Sequence, residues 1–136
     1  MLICPNDFFL YQELSSETTE ICMTIQKKNF SNPDSVMTPP LTRVERVKIG
    51  DFVAIKYTFE PGWKWSKNVS PFAGTATCQL HHFAIQIRGR LRIRANDGQE
   101  VDLVPGDVVD IPPGHDAWVI GDEAVDFYSF EKETGP

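Results

Sequence analysis

The sequence is poor in cysteine and histidine and has no long apolar run. Its three cysteines, Cys4, Cys22 and Cys78, are odd in number and widely spaced. A disulfide framework needs a denser, even set, so the cysteine pattern points to a reducing, cytoplasmic location. No stretch approaches the roughly 20 apolar residues that span a bilayer. The opening residues MLICPNDFFL lack a basic region and meet Pro5 and Asp7 early, which makes them a poor signal peptide. Positive charge is also scarce. A formal net charge of -6 and a pI near 5.0 argue against nucleic acid or an acidic membrane as partner. There is no internal repeat, Ser-His-Asp order, phosphate-binding loop or dinucleotide glycine run.

What is present is globular. With 136 residues, 41% hydrophobic and 24% charged, the chain can form one domain with a real core. Residues 1–41 differ in texture from the rest. Between Ser16 and Lys28, acids precede lysines as in a short helix. Yet Ile21, Met23 and Ile25 alternate as in a strand, and both readings stand. SNPDSVMTPP, with Asn32-Pro33 and Pro39-Pro40, reads as irregular chain. Residues 1–41 are therefore expected to form an arm that docks on the domain or on a second copy.

From Thr42 the chain becomes short strands separated by turn signals. Val44 to Ile49 is closed by Gly50-Asp51, and FVAIKYTF (52–59) by Glu60-Pro61-Gly62. Thr77 to Arg88 reads as one strand ending at Gly89. Arg90 to Ala95 and Gln99 to Val104 flank Asn96-Asp97-Gly98, a hairpin turn. Val108 to Ile111, Ala117 to Ile120 and Val125 to Phe130 complete the set. About eight short strands without a long helix predict an antiparallel all-β sandwich or barrel.

Three punctuation points fall in order: Gly89, Pro105-Gly106-Asp107 and Pro112-Pro113-Gly114-His115. With EPGWKW (60–65), TCQ (77–79) and PPGHDAWVIGDE (112–123), they resemble the cupin superfamily, in particular small single-domain cupins of unassigned reaction. The resemblance covers roughly residues 42–130. It implies a double-stranded β-helix, or jelly-roll, barrel over residues 42–136. Gly106, Pro112 and Gly114 match the second cupin motif, and Gly89 matches the end of the first. In metal-binding cupins, two His and a Glu of the first motif and a His of the second hold the ion. Here the Glu position falls on His82 and the second His position on Ala117. The first two His positions fall on Ala76 and Cys78, or on Thr75 and Thr77, depending on spacing. His115 lies two residues before Ala117 and so on the same strand face. A Cys78-His82-His115 set is chemically competent for iron, zinc or manganese and leaves an open position.

Strand parity places Cys78, His82, Ala84 and Gln86 on one face and His81, Phe83, Ile85 and Ile87 on the other. If His82 points into the barrel, His81 turns out. The apolar outer face then suggests burial against a second subunit, giving a homodimer. Arg88, Arg90, Arg92 and Arg94 would form one cationic edge on a straight strand; a solvated face explains them as well. Trp63, Trp65 and Trp118 can wall a pocket for a small organic ligand, or simply pack the core. The expected function is binding of a small molecule, for sensing or sequestration. His82, Gln86 and His115 would make the polar contacts, with no fixed metal. The alternative is a metal-dependent oxygenase or isomerase using Cys78, His82 and His115.

Overall fold

Apolar/polar alternation becomes strand throughout the second half of the chain in the computed structural model, which describes residues 24–132. Among the described residues nine strands form: β1 (Ser35–Met37), β2 (Thr42–Ile49), β3 (Phe52–Phe59), β4 (His82–Arg88), β5 (Arg90–Ala95), β6 (Glu100–Leu103), β7 (Val108–Ile111), β8 (His115–Ile120) and β9 (Val125–Lys132). All pairings are antiparallel. A six-stranded sheet runs β1-β2-β3-β9-β4-β7, and a three-stranded sheet runs β6-β5-β8. This is the expected double-sheet jelly-roll barrel. Its core lies between the sheets, where Phe59, Ala84, Val125 and Phe127 of one meet Leu91, Ile93 and Val119 of the other.

Gly89 makes the corner at which the chain leaves one sheet for the other. Its φ is 76°, and a Cβ there would sit 2.5 Å from the carbonyl oxygen of Ala124. Only glycine fits both the dihedral and the contact. The register of β4 against β9 shifts between Gln86 and Arg88, which marks a bulge just before the corner. Between β3 and β4 lie two helical turns, α1 (Trp65–Asn68) and α2 (Ser70–Ala73). Pro71 lies in the first turn of α2, and Gly74 ends it in the left-handed conformation. Among the described residues no helix is long and apolar enough to cross a membrane.

Three sequence expectations change. SNPDSVMTPP is not wholly irregular, because Ser35–Met37 pairs with Met37 opposite Val44 and Ser35 opposite Arg46. Pro33 and Pro39 flank this three-residue strand without interrupting it, and it lies at a sheet edge where nearby prolines are tolerated. The strand expected from Thr77 begins only at His82. Before it, polar side chains capture the backbone: Thr75 Oγ1 donates to the Thr77 carbonyl at 2.8 Å, and Gln79 Nε2 donates to the same carbonyl at 3.2 Å. Such local bonds compete with a sheet ladder. The arginine edge is split, since Gly89 puts Arg88 in one sheet and Arg90, Arg92 and Arg94 in the other. Arg88 and Arg92 are engaged by Asp126 and Asp102 at 2.8 and 2.6 Å. Of the stretch left open between Ser16 and Lys28, residues 16–23 lie outside the described residues, as do Cys4 and Cys22. Residues 24–28 carry neither helix nor strand.

Candidate metal and ligand site

Cys78 reaches the barrel interior without a strand to carry it. It forms an isolated antiparallel bridge with His115, the first residue of β8. The Cys78 N–H donates to the His115 carbonyl at 2.8 Å, and the Gly114 N–H donates to the Cys78 carbonyl at 2.7 Å. This clamp fixes Cys78 and His115 side by side. His82 arrives from the start of β4, opposite Ile111 of β7. All three are buried, and their donor atoms lie within 4.8 Å of one another. The structure thus brings together the three residues named from the sequence, although Cys78 does not lie on the strand expected to carry it. Adjacent His81 points outward, 62% exposed, and pairs with Asp110.

The donors suit a transition-metal ion. A tetrahedral zinc with bonds of about 2.3 Å to sulfur and about 2.0 Å to nitrogen has a sulfur–nitrogen edge of about 3.5 Å. Cys78 Sγ lies 3.6 Å from His82 Nε2. The His115 Nδ1 lies 2.8 Å from the Pro112 carbonyl oxygen. A carbonyl only accepts, so Nδ1 carries the proton and Nε2 keeps its lone pair. This is how ligating histidines are commonly oriented. His82 Nδ1 is buried and has no hydrogen-bond partner among the described residues. Burial, then the neighbouring His115, pushes His82 down to about 4. Burial lowers His115 as well and raises the Cys78 thiol. At neutral pH the site therefore holds two neutral imidazoles, ready to ligate, and one thiol that must lose its proton first.

A cavity of about 210 Å³ opens onto this group. It is smaller than the roughly 300–1,000 Å³ of drug-sized sites, so it has room only for a small molecule. Trp63 and Trp65 line it beside Cys78, His82 and His115 and also belong to the buried core. Phe59 stacks on Trp63 with ring centroids 3.8 Å apart, making a flat apolar wall.

Two expected contacts are placed elsewhere. Gln86 is fully buried but does not line the cavity. Its Nε2 donates to the carbonyls of Arg88 and Gly89 at 3.1 and 3.0 Å, bracing the β4–β5 corner. Trp118 faces away from the cavity, where Lys64 Nζ lies 4.8 Å from its ring centroid. The parity that turns His115 and Ala117 inward turns Trp118 out.

Sequence reasoning missed the other end of the cavity. Val44, Arg46, Tyr57 and Met37 line it. Register explains why: Val44 opposes Tyr57 on β3 and Met37 on β1, so all three share a face, and Arg46 lies two residues on. The signal was present in β2, where Thr42, Val44 and Arg46 alternate.

No family model matches the sequence, and no curated protein does. Solved structures resemble it in fold. A protein of unknown function from Rhizobium leguminosarum bv. viciae is 20% identical with a TM-score of 0.59, covering 82% of this chain and 100% of the other. The polyketide cyclase RemF from Streptomyces resistomycificus is 12% identical with a TM-score of 0.60, covering 83% and 82%. A cupin 2 conserved barrel domain protein from Salinispora arenicola is 20% identical with a TM-score of 0.51, covering 81% and 88%. These likenesses establish the cupin barrel fold and leave the chemistry to the site itself.

Proposed function

We propose that the barrel binds a small organic molecule beside a single transition-metal ion held by Cys78, His82 and His115. The convergence of these three buried donors carries the reading. One thiolate and two imidazoles suit zinc or iron(II) better than manganese. An ion there would supply Lewis acidity at its open position. The chain's own groups do the rest. Pro112 holds the His115 ring in the tautomer that presents Nε2. Burial keeps His82 neutral, and Phe59 and Trp63 hold an apolar body away from water. Such a site serves an oxygenase or an isomerase.

A second reading keeps the cavity without an ion, as a sensing or sequestering pocket. The unpartnered His82 Nδ1 and the neutral Cys78 thiol favour it, because both can hydrogen-bond a bound molecule. Elemental analysis of protein purified without a metal-affinity column separates the two. The metal reading expects near-stoichiometric zinc or iron. It also expects Cys78→Ser to weaken zinc binding by at least about 100-fold, the upper end of what losing a supporting partner costs. Zinc titration should release one proton per ion in the parent protein only. Protein that neither retains nor takes up metal would leave the sequestering pocket.

A further inference from the structure

The wall of the cavity is apolar except at two places, the Cys78, His82 and His115 group and the opposite end. Among the described lining residues Arg46 is the one with a permanent positive charge. Among the described residues its ion pair is with Glu131, from Nη2 to Oε1 at 3.7 Å, beyond hydrogen-bonding reach. Arg92, by contrast, grips Asp102 with two N–H groups at 2.6 and 2.9 Å. Arg46 thus brings a fork of donors to the cavity edge, and among the described residues no carboxylate closes upon it at hydrogen-bonding distance. Tyr57 lines the same cavity, with its ring centroid 5.7 Å from that of His82. Its phenol hydroxyl is a hydrogen-bond donor. A cation, a phenolic donor and a flat apolar wall complement one kind of molecule. That molecule has a single negative group at one end and an apolar body. A dianion is disfavoured by Glu131 beside Arg46.

We infer that the cavity takes a small apolar monocarboxylic acid, its carboxylate held by Arg46 and Tyr57 and its body lying against Phe59 and Trp63 toward Cys78, His82 and His115. The inference rests on the reading of this cavity as a small-molecule site. It does not require the ion.

Benzoate, benzamide and phenyl phosphate serve as matched probes, titrated calorimetrically into chelator-treated and zinc-loaded protein. Benzoate should bind at least tenfold more tightly than benzamide in both forms. Arg46→Gln should bring benzoate down to the benzamide level and leave benzamide unchanged, which shows the cavity intact. Arg46→Lys should restore part of the preference. Equal binding of benzoate and benzamide, tighter binding of phenyl phosphate, or no binding of any probe overturns the inference. So does a benzoate preference that survives Arg46→Gln. If that surviving preference needs zinc, the ion takes the carboxylate, and the metal reading stands while this one falls. A preference lost in Arg46→Gln protein that holds no metal does the reverse.

Discussion

Deep in the cavity, Cys78, His82 and His115 are 4, 7 and 5% exposed and stand on backbone tied by the Cys78–His115 clamp. At the mouth, the Arg46 side chain is 42% exposed and Met37 58%, and Met37 rides on a three-residue edge strand. The two ends use opposite electrostatics. Burial at the deep end keeps every group neutral, so that lone pairs face inward and no unpaired charge is left in a dry core. Partial exposure at the mouth lets Arg46 remain charged at little desolvation cost. Under the proposed reading, such a cavity would orient a bound molecule by polarity along its length.

The largest test of the comparison lies in the support of the deep end. Gly89→Ala forces a positive φ on alanine and drives its Cβ against the Ala124 carbonyl oxygen. The backbone cannot yield there without moving Gln86, whose amide is tied to the same corner. Urea unfolding should show a loss of about 3–4 kcal/mol, from left-handed strain and the added clash. Met37→Ala at the mouth should cost within about 0.5 kcal/mol. Similar losses at the two positions would erase the distinction between a braced end and an adaptable one.

Acid sharpens the same contrast. His82 binds a proton in the unfolded chain near its ordinary 6.5 but in the folded chain only near 4. Between those values the unfolded state holds more protons, so stability is complete above pH 6.5 and falls as pH drops toward 4. The full depression corresponds to about 3 kcal/mol for the metal-free protein. Urea unfolding of chelator-treated protein at pH 7.5, 5.5 and 4.5 should show this fall. His82→Gln should remove that part of it. A variant with the parent's full pH slope would mean that His82 is not kept neutral by burial.

The deep end was readable in the sequence because two simple rules act there. Period-two alternation along β4 separates His82 from His81, and the Gly106, Pro112 and Gly114 punctuation places His115 two residues before an inward position. Gln86 obeyed the parity rule yet did not reach the cavity. The bulge before Gly89 leaves carbonyls that its amide satisfies instead, and a bulge is not visible in alternation. The mouth was hidden for a different reason. Arg46 faces inward only because β1, β2 and β3 are in a particular register, and Met37 joins it from a segment whose prolines disguise a strand. Register is a long-range property that local pattern does not carry.

The smallest expected effect falls on the neighbour of the most buried chemistry. His81 and His82 differ by one residue and one strand face. His81 is 62% exposed, and its partner Asp110 is 66% exposed, so the pair is screened by water and holds little stability. His81→Asn should change unfolding free energy by no more than about 0.5 kcal/mol and leave zinc affinity within about twofold. His82→Asn should abolish stoichiometric zinc. A substantial loss of zinc in the His81 variant would mean that the adjacent pair, and not the convergence of Cys78, His82 and His115, holds the ion. The inward and outward faces of β4 would then have to be exchanged. The fully buried Gln86 and the 57%-exposed Phe83 on those same faces already weigh against that exchange.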